Sequence, residues 1–223
     1  MNPGIFETFY NGPIQHPILL WVSNLFFTVL ALAQLRLRSD ESTRRLRRFI
    51  LIWSLISALD AWLSANRVLG IGMLSAPWSS ILPFLFVWAG DLRIFLAMEL
   101  FGAGFPDQAN KIAWWRPVLA CFIVPVVAGV LTRGQEARVL FLVYEALFLV
   151  MITLYGRFTR TAQHPSARSV RNLSWGFYTL WVTADVLILT LPDGLRDLGF
   201  AVRVLPNLIY YGAFAWVCAR TSR

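Results

Sequence analysis

Four ionisable residues interrupt long apolar stretches of this chain: Asp60, Asp91, Arg93 and Asp185. Two carboxyls with separated pKa values can serve as an acid and a base, and carboxyls placed in sequence can relay protons. A guanidinium among them can hold an anion or neutralise one of them. Charged groups at a bilayer centre cost roughly 2.5–3.5 kcal/mol each on insertion scales, so a chain that carries four is expected to use them. Three aspartates against one arginine leave a formal charge of −2, which predicts that at least one carboxyl is protonated at neutral pH. Asp91 and Arg93 are two positions apart and diverge by about 200° on a helix. Arg93 is therefore expected to pair with a carboxylate on another helix.

The elements that must position these groups are apolar helices. Of the 223 residues, 57% are hydrophobic and 14% charged, against about 25% charged in an ordinary soluble domain. Apolar stretches long enough to cross hydrocarbon recur along the whole length. They predict an all-α, polytopic membrane protein, a seven-transmembrane-helix bundle with spans near 17–35, 49–66, 81–103, 114–132, 139–156, 173–191 and 199–219. Seven spans consume most of the chain, so residues 1–223 form one integral-membrane domain with no separate soluble unit, repeat or low-complexity segment. Residues 68–80, with their glycines and Pro77, suggest a re-entrant or surface turn, and Pro125 a kink in the fourth span.

Charge sets the orientation. The loops after spans one, three and five, with the tail, carry fourteen basic residues. The other side carries five: Arg67, Arg133, Arg138, Arg196 and Arg203. The positive-inside rule then puts the amino terminus outside and the carboxyl terminus in the cytoplasm. The net charge of +8 is a topology signal, and nucleic acid is not an expected partner. Lys111 is the one lysine beside nineteen arginines, which suggests a GC-rich bacterial genome and hence a multi-pass protein of the cell inner membrane. The first fifteen residues lack the basic start of a cleavable signal peptide. Cys121 and Cys218 lie in apolar segments and make neither a metal motif nor a disulfide framework.

Depth and helical phase sharpen the site. Asp60, Asp91 and Asp185 each lie some ten to twelve residues into a span, near the midplane of a slab about 30 Å thick. Glu145 and Asn207 lie nearer the outside and Glu99 nearer the cytoplasm. On the second span, Ser57, Ala61 and Ala65 form a row of small residues that admits a neighbouring helix and turns Asp60 inward. Ser174, Tyr178, Trp181 and Asp185 share one stripe; Trp88, Asp91, Phe95 and Gly102 another; Asn207, Tyr210, Tyr211 and Phe214 a third. Together these predict a binding pocket with an acidic floor and aromatic walls, formed by Trp88, Arg93, Glu145, Tyr178, Trp181, Asn207, Tyr210 and Tyr211. If the protein is an enzyme, Asp60, Asp91 and Asp185 are its catalytic candidates.

Several chemistries lack their residues. No HExxH, GxSxG or glycine-rich phosphate loop is present, and neither His16 nor His164 has a partner at metal-ligand spacing. Seven helices with buried acids resemble microbial rhodopsins, but the last span has no lysine for a Schiff base, which excludes covalent retinal and leaves the cofactor unassigned. Segments 86–95 (FVWAGDLRIF), 180–189 (LWVTADVLIL) and 208–214 (LIYYGAF) resemble stretches of the transmembrane lysoplasmalogenases. That resemblance implies ether-lipid hydrolysis with Asp91 and Asp185 as the catalytic pair. The Lys-Pro element of that family's second helix and its mid-chain histidine are absent here.

Three functions follow as expectations. The first is a membrane-embedded sensor or regulator with an anti-sigma-like role, its arginine-rich loops holding a cytoplasmic protein partner. The second is an intramembrane lipid-modifying enzyme, a lysoplasmalogenase-like hydrolase. The third is a proton-coupled small transporter using the same acids as a relay.

Overall fold

A computed structural model describes residues 3–12, 19–65, 75, 78–106 and 112–221. The described residues contain helices and no strand. The α-helices are α1 (Ile5–Asn11), α2 (Leu20–Leu35), α3 (Glu41–Ala65), α4 (Trp78–Gly102), α5 (Trp115–Leu131), α6 (Ala137–Phe158), α7 (Pro165–Thr190), α8 (Asp197–Leu208) and α9 (Phe214–Thr221). A π-helical turn, Ile209–Ala213, joins α8 to α9. The seven apolar segments correspond to α2 through α7 and the composite α8–π–α9. Helix α1 has no counterpart among them, and most of the glycine-containing stretch 68–80 lies outside the described residues.

The long helices overrun their apolar segments where arginines begin. α3 starts at Glu41, ahead of its apolar run, because Asp40 caps it. The Asp40 carboxylate accepts the Thr43 amide at 2.8 Å and the Thr43 hydroxyl at 2.9 Å, and also the Ser42 hydroxyl. Those hydrogen bonds, led by that from Ser42, hold the Asp40 carboxyl well below the usual carboxylate range. α7 starts at Pro165, whose missing N–H costs nothing in a first turn, and His164 Nδ1 accepts the Ser166 amide at 3.3 Å.

By length and composition, two helices are able to cross a membrane: Arg138–Phe158 and Pro165–Thr190. α2 and α5 are apolar but only 16 and 17 residues long. The last apolar segment is interrupted where Pro206 precedes the π-turn. Seven uninterrupted spans, as expected from hydropathy, thus reduce to an all-helical fold with two helices of spanning length and composition among the described residues.

α7 lies at the centre, packed against α4, α6, α8 and α9. α2 packs on α3, the π-turn and α9, while α1 lies on α8. Gly199 sets the α7–α8 approach. A Cβ there would lie 2.9 Å from the Ile188 amide nitrogen and 3.1 Å from the Ala184 carbonyl oxygen. One turn further along α8, Arg203 reaches Asp185. The faces of α3 separate as its periodicity predicts: Trp53, Ser57 and Ala61 are buried, and Leu51, Ile52, Leu55 and Leu59 are exposed.

Two outcomes are expected from this packing. A methyl group added at Gly129 of α5 would meet no described atom within 4 Å, so Gly129→Ala should gain helix propensity, about 1 kcal/mol. Gly199→Ala should instead lower the thermal midpoint in micelles, because its methyl meets backbone atoms that cannot yield. For Asp40, the depressed folded-state value means its stabilisation is present above the ordinary carboxylate value and is lost as pH falls through the folded value. The gap in thermal midpoint between wild type and Asp40→Ala should therefore narrow on acidification and be unchanged around neutrality.

Candidate functional site

The polar interior divides into levels along the helices. At the level nearest the start of α6, the Arg203 guanidinium of α8 binds two carboxylates: Asp185 of α7 through Nη1, and Glu145 of α6 through Nη2 at 3.2 Å. Arg138, at the start of α6, adds a second contact to Asp185 at 3.2 Å. The Arg203 Nε donates to the Tyr10 hydroxyl of α1 at 2.9 Å. The planar fork of arginine suits such divided recognition, each N–H direction taking a different oxygen. Helix α1 is fixed from α8 as well: Asp197 accepts the amides of Glu7 at 2.8 Å and Phe6 at 3.2 Å, a cap supplied from another helix.

Two guanidiniums face two carboxylates here, so this part of the layer is formally neutral. The expected charge of −2 becomes −1 once Glu145 is counted together with Arg138 and Arg203. Both arginines fall on the outer surface when only loop positions are counted. The available signal for Arg203 is its place inside the apolar segment 199–219, one helical turn past Gly199.

One level inward, the Tyr178 hydroxyl donates to Asp91 Oδ1 at 2.5 Å, joining α7 to α4. Phe148 stacks on Tyr178 with ring centroids 4.1 Å apart. Trp181 donates from Nε1 to Asn207 at 2.9 Å and packs on Tyr210 at 5.1 Å. Contrary to the expectation of a carboxylate partner on another helix, the hydrogen bonds of Arg93 among the described residues go to a hydroxyl and a backbone carbonyl. The guanidinium donates to Ser57 Oγ and to the Tyr210 carbonyl, each at 2.8 Å, and lies 4.5 Å from the Tyr210 ring centre and 4.7 Å from that of Phe214. The physical reason lies in the π-turn and the start of α9, which bring a backbone carbonyl and two ring faces to the guanidinium. Gly90 permits that approach, since a Cβ there would collide with the Tyr210 hydroxyl.

The sequence candidates are thus distributed. Asp91 and Asp185 share no hydrogen bond; seven residues of α7, about 10 Å, separate Asp185 from the tyrosine that holds Asp91. Asp60 is half-buried on α3, and Asp91, Arg93, Glu145, Tyr178, Asn207 and Tyr210 are buried. Trp88 is half-buried one turn from Asp91, and the side chain of Tyr211 lies outside the described residues. At a third level, Tyr155 donates to Glu99 at 2.8 Å, and Arg116 approaches Glu99 at 3.8 Å.

This arrangement can anchor charge and pass protons. Asp91, Asp185 and Glu145 each have one oxygen engaged and a second, buried oxygen without a hydrogen-bond partner among the described residues. Among the described residues no group of three His, Cys, Asp or Glu side chains is placed to hold a metal ion. The magnitudes rank the contacts. Removing one member of a buried ion pair costs about 3–5 kcal/mol, whereas an interhelical hydrogen bond in a membrane bundle averages about 0.6 kcal/mol. Arg203→Ala should accordingly destabilise the fold several times more than Ser57→Ala, measured by denaturant unfolding in mixed micelles. Glu145→Gln in the Arg203→Ala background should restore part of the loss.

Compared with known proteins, the chain matches no family model, no curated protein and no solved structure.

Proposed function

We propose that this chain is a multi-pass inner-membrane protein of seven spans, amino terminus outside, that acts as a membrane-embedded sensor or regulator. The observation that carries the membrane part is the inverted distribution of polarity. Asp91, Arg93, Glu145, Asp185 and Arg203 are buried, while Val22, Leu25, Phe26, Leu55, Val126, Val130 and Leu154 are exposed on outward helix faces. Water-soluble domains bury such aliphatics and leave such charges outside. With Arg203 assigned to the interior, four basic residues remain on the outer side against fourteen on the cytoplasmic side, which strengthens the orientation.

Support for a sensor comes from where α6 and α7 begin and end. Both enter the Arg203 cluster, α6 in its first half through Glu145 and α7 in its last turns through Asp185. Toward the opposite ends they carry Arg157, Arg168 and Arg171, with Arg160 between them. A change in the buried ion pairs would shift two continuous helices and so alter an arginine-rich face suited to an acidic protein partner. A second reading has its own observation: Asp91 is 1% exposed, bonded to Tyr178 on one oxygen and without a described partner on the other, as an intramembrane general base would be. On that reading Asp91 acts on a lipid without Asp185, which Arg203 holds.

The membrane reading expects the chain to stay with the pellet on alkaline carbonate extraction; release into the soluble fraction overturns it. The sensor reading expects capture of full-length protein from crosslinked membranes to retrieve a defined partner. Gln substitution of Arg157, Arg160, Arg168 and Arg171 should abolish that capture, and Asp185→Asn should change its yield. No arginine-dependent partner, together with an Asp91→Asn change in lipid composition, would favour the enzyme instead.

A further inference from the structure

Two carboxyl–phenol pairs lie one above the other along α4. Asp91 accepts from Tyr178 at 2.5 Å, and Glu99 accepts from Tyr155 at 2.8 Å. Eight residues separate the acids, about 12 Å of helix. Between them stands an aromatic partition. Phe95, midway between the two acids on α4, packs on Phe148 at 5.1 Å and on Tyr155 at 4.8 Å, and Phe148 stacks on Tyr178. Phe95 and Phe148 are fully buried.

Both pairs continue toward a surface. From Phe148, one turn of α6 leads outward to Glu145, which Arg203 links to Asp185, and Asp185 to Arg138 with a quarter of its side chain exposed. From Glu99 the line reaches Arg116, whose side chain is 43% exposed. The groups facing Asp91 are Tyr178 from α7, Cys121 from α5, Tyr210 from the π-turn and Arg93 on its own helix. Those facing Glu99 are Tyr155 from α6 and Arg116 from α5. Asp91 Oδ2, Glu145 Oε2 and Asp185 Oδ2, all more than nine-tenths buried, have no hydrogen-bond partner among the described residues and are able to take up a proton.

We propose that these groups form a gated proton path along α4, closed in this structure by Phe95 and Phe148. A proton enters at the Glu145–Asp185 level and binds the free oxygen of Asp91. The Asp91–Tyr178 pair passes one proton inward past the partition to Glu99–Tyr155, and Glu99 releases one to water beside Arg116. Only O–H bonds form and break, one proton leaves for each that enters, no electron moves, and a transmembrane proton gradient drives the transfer. The path rests on the spanning orientation proposed above and stands apart from the sensor role.

The test uses full-length protein in liposomes with an enclosed pH-sensitive dye and a valinomycin-clamped potassium potential, after flotation to establish insertion. Phe148→Ala is expected to raise proton flux severalfold over wild type, and adding Asp91→Asn or Glu99→Gln is expected to return it to the level of empty vesicles. If Phe148→Ala does not yield folded protein, Phe95→Leu opens the same partition and is expected to behave alike. Vesicles that float with the protein yet show no flux above empty ones in either partition variant overturn the path alone. Flux that survives Asp91→Asn also overturns it, as a leak. Failure to float overturns the membrane orientation, and the path with it.

Discussion

The hold of one arginine on two carboxylates organises this molecule. Arg203 brings together α6, α7 and α8, and through Tyr10 it also ties down α1. In a low-dielectric interior neither the guanidinium nor the acids can turn to bulk water, so each is stable there only while the others remain in place. That mutual requirement fixes the rotation of three helices about their axes. It also explains the demand on Gly199. The backbones of α7 and α8 must come close enough for Arg203 to sit beside Asp185, and a side chain at 199 would hold them apart.

The second constraint operates through a backbone irregularity. Arg93 is buried, and its hydrogen-bond partners are a serine hydroxyl and the Tyr210 carbonyl. The π-turn presents that carbonyl and the face of Tyr210, and α9 opens with the face of Phe214, so a departure from regular helix helps to create the receptor for a buried cation. Gly90 complements it from α4. The middle of the bundle is therefore specified by one close approach and one arginine, in the same manner as the level beyond it.

These restraints separate the acids into different kinds. Asp185 and Glu145 are anchored by cations and belong to the framework. Asp91 is held by the phenol of Tyr178, a neutral donor, and Glu99 by the phenol of Tyr155 with the half-exposed Arg116 guanidinium 3.8 Å away. On the proposed path, the aromatic residues between them decide whether the two communicate. Rings stacked within about 5 Å exclude water, so a small displacement of α6 or α7 would change continuity more than it would change stability.

Helix positions are legible in the sequence because hydrophobic length and the 3.6-residue period are local properties. The apolar segments, the inward face of α3 at Ser57 and Ala61, and the stripe Ser174–Tyr178–Asp185 on α7 follow from them directly. Burial of Asp91 and Asp185 is legible for the same reason, since each sits deep in an apolar run. Which groups meet is not legible. By sequence Arg93 reads as the partner of a carboxylate and Arg203 as a surface charge, because a sequence gives the depth of a residue along its own helix but not the rotation and approach of its neighbours. Tertiary packing decided both. The contact permitted by Gly199 delivers Arg203 to Asp185, and the π-turn after Pro206, with the start of α9, offers Arg93 a carbonyl and two rings, a choice that depends on three-dimensional distances no single helix contains.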